Sequence, residues 1–93
     1  MPHSPDDKRR ALTRLRRIRG QAEALERAVE VGTDCRPLLQ QIAALRGAVG
    51  GLMAEVLESH LRETFGPGSP GHQPGPFDGE LDEITTILRT YLK

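Results

Sequence analysis

DCRPLLQQIAALRGAVGGLMAEVLESHLRET, residues 34–64, is the stretch that decides how this chain folds. Leu38, Ile42, Leu45, Val49, Leu52 and Val56 recur at alternating steps of four and three, the period of one helix face. Carried back three residues and on four, the stripe reaches Cys35 and His60. Turning about 100° per residue, the helix brings His60 to within about 20° of the direction of Cys35, so thiol and imidazole share a face. At about 1.5 Å per residue they stand roughly 37 Å apart along the axis. One helix cannot join them. Two copies packed antiparallel can, because the Cys35 end of one then lies beside the His60 end of the other. The midpoint of that overlap falls in Arg46-Gly47-Ala48-Val49-Gly50-Gly51. Glycine inside a helix costs about 1 kcal/mol relative to alanine. The glycines here predict a close approach of two backbones, the alternative being a flexible break at Gly50-Gly51.

Working outward, Ser4-Pro5-Asp6-Asp7 reads as a helix start. Ser4 caps, Pro5 suits the first helical position, and Asp7 stands where a capping box places its acid. Leu12, Leu15, Ile18, Ala22, Leu25 and Val29 form a second stripe that ends at Gly32, predicting a helix over about 5–31. Thr33 or Asp34 caps the next helix, which tolerates Pro37 in its first turn and runs to about Phe65. Residues from about 66 to 78 are Gly- and Pro-rich and read as a linker. A short third helix is expected from about Gly79 to Leu92, with Leu81, Ile84, Ile87, Leu88 and Leu92 on one side. The expected fold is all-α, one domain over 1–93, with two long antiparallel helices and a short C-terminal one. Both long stripes are too wide for a single partner, so pairing of two hairpins into an antiparallel four-helix bundle is expected.

Composition narrows the function. Aromatic residues are limited to Phe65, Phe77 and Tyr91, so the core must be aliphatic. Formal net charge is zero, yet residues 1–19 carry seven basic groups against two acids, and residues 20–93 carry six against eleven. That segregation points to an anionic partner for one face. Cys35 is the single cysteine, which excludes an internal disulfide and fits a reducing cytosol. No apolar run has the length of a signal peptide or membrane span, so a cytoplasmic protein is expected.

Three groups of residues carry chemistry. Lys8, Arg9, Arg10, Arg14, Arg16, Arg17 and Arg19 fall within twelve residues; Arg10, Arg14 and Arg17 share one helix face, expected to point to solvent away from Leu12, Leu15 and Ile18. Guanidinium forks suit phosphate, and several such contacts give salt-dependent nucleic-acid binding. A merely solvated helix face is the alternative. Cys35 sits in a helix first turn, where the dipole favours thiolate character, the alternative being a small buried filler. Met1 precedes the small residue Pro2, so its removal is expected to leave Pro2 with a free secondary amine. Such an amine condenses with an aldehyde to an iminium ion, and a thiolate adds to that carbon to give an N–CH2–S bridge. Metal binding through the amine, His3, Cys35 and His60 is the second possibility, and a frayed Pro2-His3 tail the third. One thiol and three histidines specify no turnover, so an enzyme is not expected.

The opening PHSPDDKRRALTRLRRIRGQAEALERAVE, the place of Cys35, LLQQIAALRGAVGGLMAE and His60 resemble the CsoR/RcnR family of bacterial transcriptional repressors. The resemblance covers the chain to Phe65, and residues 81–93 fit the family's terminal helix. It implies an all-α homotetramer, a dimer of dimers, that holds operator DNA (a GC-rich duplex) without effector and releases it with effector. Thr64 stands where copper sensors carry a Cys, nickel/cobalt sensors a His and the formaldehyde-responsive branch a Glu. Pro2 together with Cys35 is similar to that last, FrmR-like branch. The resemblance thus implies formaldehyde sensing by Pro2 and Cys35 of different protomers, with His60 and His3 secondary, to control a detoxification operon. No cofactor and no physiological metal are expected. The alternatives are a nickel/cobalt- or copper-type repressor using His3, Cys35 and His60, and, from another class, a helical-bundle structural adaptor.

Overall fold

The computed structural model describes residues 2–69 and 75–92, and every described element is a helix: α1 (Pro5–Glu30), α2 (Cys35–Phe65) and α3 (Pro76–Tyr91). Helix α1 begins as its sequence dictates, with the Ser4 hydroxyl accepting the Asp7 amide at 3.1 Å. The Asp7 carboxylate is engaged by Arg10 one turn on. At the far end Val31 is the cap and Gly32 takes φ 74°. The Thr33 amide returns to the Ala28 carbonyl and the Gly32 amide to that of Val29, a Schellman closure that leaves four residues to reverse the chain. Asp34 then caps α2 by position, without a side-chain hydrogen bond to the helix.

Helix α2 passes through Gly47, Gly50 and Gly51 unbroken, which removes the flexible break. Gly51 also has a role inside the chain, separate from the expected meeting of two copies. A methyl group there would stand 3.1 Å from a terminal nitrogen of Arg14, so this glycine makes room for a guanidinium on α1. Within the protomer Gly47 faces open space.

Helix α3 starts three residues before the expected Gly79, because Pro76 fits a helix's first turn and Gly75 caps it. Residues 76–78 therefore belong to the helix; of the expected linker, residues 70–74 lie outside the described residues, as does Met1. Helix α3 runs back along the end of α2. Phe77 meets Phe65 edge to face with centroids 5.9 Å apart, Arg62 reaches Asp82 at 3.1 Å and Thr85 at 3.2 Å, and Arg89 grips Glu58. Both α1 and α3 pack on α2, and among the described residues they do not pack on each other.

The result is a slab of 57 × 25 × 12 Å, about one helix diameter thick. Its radius of gyration is 17.2 Å, where a compact chain of this length has about 12 Å. Among the described residues the buried apolar ones are few: Ala28, Ala54 and Leu81. Leu12, Leu15 and Val29 of the α1 stripe are exposed, as are Leu39, Ile42, Val49, Met53 and Leu57 of α2.

Candidate nucleic-acid interface and effector site

Helix α1 brings its basic residues to two edges. Arg10 and Arg14 turn toward α2 and share Glu55, with Arg10 Nε 3.2 Å from one oxygen and Arg14 on the other. Arg10, Arg14 and Arg17 are expected to be solvent-facing; Arg10 and Arg14 are exposed but also reach across to α2. The cause lies on α2: Glu55 projects into the seam and Gly51, one turn earlier, leaves the guanidinium space. The two arginines nevertheless keep half or more of their side-chain surface open. Arg9 pairs with Asp6. No ion pair to Lys8, Arg16, Arg17 or Arg19 occurs among the described residues. Arg9, Arg10, Arg14 and Arg17 line an open groove of about 420 Å³ with Thr13 and Glu55.

Behind this groove a second cavity of about 460 Å³ joins the three helices. Arg10 and Arg14 enter it from α1, Glu55, Glu58 and Arg62 from α2, and Arg89 from α3. Glu58 binds Arg89 with both oxygens and also receives Arg62 Nε at 3.3 Å. Hydrogen bonding to Glu58, reinforced by its charge, holds Arg89 above its ordinary proton affinity. Glu55, Glu58, Arg62 and Arg89 were not singled out by the sequence. The spacing of Glu55, Glu58 and Arg62 at three and four residues puts them on one face of α2, and that was the available signal.

The residues expected to meet an effector fall at opposite ends of the slab. Cys35 is exposed at the first position of α2. His60 is exposed near the other end, and Leu39, Ile42, Val49, Met53 and Leu57 lie between them on the same open face. The Pro2-His3 arm crosses to the His60 end. There the His3 amide donates to Glu63 Oε1 at 2.7 Å, and its imidazole Nε2 stands 3.9 Å from Glu63 Oε2. Within one protomer the structure thus brings the N-terminal arm to the neighbourhood of His60 and leaves Cys35 remote. Among the described residues no three His, Cys, Asp or Glu side chains gather as a metal site. No described helix is long and apolar enough to cross a membrane.

Comparison with known proteins adds to this geometry. Residues 7–90 match the family model of metal-sensitive transcriptional repressors. An uncharacterized protein encoded in the bioA 5′ region of Serratia marcescens is 50% identical over 93 residues, covering all of both chains. A transcriptional repressor RcnR homolog of Escherichia coli is 39% identical over 95 residues, again over the whole of each. Among solved structures, a variant of the formaldehyde-responsive regulator FrmR from Salmonella enterica serovar Typhimurium superposes with a TM-score of 0.69 at 53% identity. That match covers 97% of this chain and 99% of the other. The RcnR homolog and FrmR are transcriptional regulators, and the chain belongs to the metal-sensitive transcriptional repressor (CsoR/RcnR) family.

Proposed function

We propose that the protein represses a formaldehyde-detoxification operon in the cytoplasm and releases its operator, a GC-rich duplex, when formaldehyde joins two protomers. One observation carries the reading. The N-terminal arm and Cys35 sit at opposite ends of one exposed apolar face. Two such faces packed antiparallel cover their leucines and bring the arm of each protomer to the thiol of its partner. A dimer of dimers then repeats the basic edges of α1 along the duplex.

The chemistry balances with no cofactor. The Pro2 amine adds to formaldehyde, the carbinolamine loses water to an iminium ion, and the Cys35 thiolate of the partner closes N–CH2–S. One C–N and one C–S bond form for each water released. His60 orients the thiol or takes its proton, with His3 secondary. The bridge fixes α1 in a pose whose arginines no longer match the phosphates. A hundredfold loss of operator affinity needs only about 2.7 kcal/mol of coupling, a modest demand on a covalent link.

Formaldehyde treatment is expected to give cross-linked pairs heavier than their two chains by about 12 Da for each bridge closed, one carbon gained per bridge, with loss of operator binding in parallel. Cys35→Ala should hold the operator through the same treatment. Normal release by Cys35→Ala would overturn the mechanism. The family's description as metal-sensitive favours one second reading, a repressor ligating cobalt or nickel through His3, Cys35 and His60. Release of operator by a metal, and not by formaldehyde, in the same assay would select it.

A further inference from the structure

The Pro2-His3 arm is pinned at two points. Behind it, the Ser4 hydroxyl caps α1. Ahead of that cap, the His3 amide donates to Glu63, sixty residues away and one turn beyond His60, while the imidazole lies 3.9 Å from the second carboxylate oxygen. Glu63 keeps only a quarter of its side-chain surface exposed although it ends an open helix, and Pro2 is half-buried. Between the Pro2 ring nitrogen and the clasped amide lie one Cα and one carbonyl carbon. The ring supplies its own rigidity, so a single rotation separates the held amide from the amine.

We propose that Glu63 is a positioning residue for the N-terminal amine: it clasps the His3 amide and so presents the Pro2 nitrogen at the end of α2 where the partner's thiol arrives. This rests on the aldehyde reading above. A loose arm samples many directions, and holding a nucleophile near its attack geometry raises the effective concentration of the reacting pair. Glu63 touches neither aldehyde nor thiol. It acts through the backbone of His3.

The test compares wild type, Glu63→Ala and Glu63→Gln, all with Met1 removed. It reads the rate of bridge formation by intact mass, the formaldehyde concentration for half-release of operator, and hydrogen exchange at the His3 amide. Glu63→Ala is expected to slow bridging about tenfold, to raise the half-release concentration in proportion, and to lose protection at His3. Operator affinity without formaldehyde should stay within about twofold. Glu63→Gln keeps an oxygen that accepts the His3 amide and should bridge at close to the wild-type rate. Bridging by Glu63→Ala at the wild-type rate, or equal slowing in Ala and Gln, overturns the clasp while leaving the aldehyde reading intact. A wild type that forms no bridge overturns the aldehyde reading itself, with His3 exchange still reporting whether Glu63 holds the arm.

Discussion

The seam between α1 and α2 and the face that α2 turns outward are made of the wrong materials for a self-sufficient protein. Inside the seam stand Arg10, Arg14 and Glu55, with the small residues Ala28 and Ala54 as its buried apolar members. Outside stand Leu39, Ile42, Val49, Met53 and Leu57, with Leu12 and Leu15 on α1. Partly exposed ion pairs contribute about 0–1 kcal/mol each. Covering a large aliphatic side chain contributes about 1.5–3 kcal/mol. The stabilising capacity of this sequence therefore lies mainly on the surface that the protomer leaves open. On the proposed pairing the chain is half of a folding unit, and its charged seam sets orientation more than stability.

Placing a charge on the open face is the most damaging way to test that division. Val49→Asp puts a carboxylate in the middle of the expected contact between second helices, where antiparallel packing would bury it without a counter-charge. The expected cost is about 3–5 kcal/mol, enough to abolish assembly and most of the helical signal at micromolar protein. Sedimentation velocity and circular dichroism read both effects together. A tetramer with wild-type melting would mean that this face does not carry the assembly.

The same comparison shows what was legible beforehand. Periodicity alone located α1 and α2 to within a residue or so, because a 3/4 alternation of Leu, Ile and Val has one regular solution. It also placed Cys35 and His60 on a common face, which needs only helix geometry. What it could not give was the direction of each arginine. A run of like charges on one helix reads as solvent-facing until the opposite helix is known, and Glu55 is one acid among eleven in its part of the chain. The docking of His3 on Glu63 was hidden for a similar reason, since its partners lie sixty residues apart and no local pattern links them. The sequence places the start of α3 late because Pro74-Gly75-Pro76 looks like a breaker, although a proline at a first turn begins a helix as readily as it ends one.

Charge substitutions sharpen the contrast with a smaller effect. Removing Arg16 and Arg17 together takes away guanidinium groups that form no ion pair among the described residues. Operator affinity should fall at least roughly tenfold to hundredfold, and the slope of log affinity against log salt should shrink by about two for each protomer in contact with the duplex. Glu55→Gln acts in the opposite sense. It releases Arg10 and Arg14 from their carboxylate, so operator affinity should rise about threefold with a steeper salt dependence. Fluorescence anisotropy across a salt series measures both. Equal weakening by Glu55→Gln would show that the seam's contribution is structural and that its arginines do not reach the duplex.

The smallest expected effect comes from a site in neither region. The Ser4 hydroxyl satisfies an orphan amide at the start of α1, on an exposed turn remote from Val49 and Glu55 in its interactions. Ser4→Ala removes that bond and leaves the amide to water, which costs about 1 kcal/mol. The denaturant midpoint should fall by that amount divided by the m-value, with the m-value unchanged, because the surface exposed on unfolding is the same. Oligomeric state and the salt slope of operator binding should be untouched. The informative part is this pair of nulls. If losing one cap shifted either of them, the first turn of α1 would be coupled to the open face or to the arginines, and the separation between a stabilising exterior and an orienting seam would fail at the point where the N-terminal arm begins.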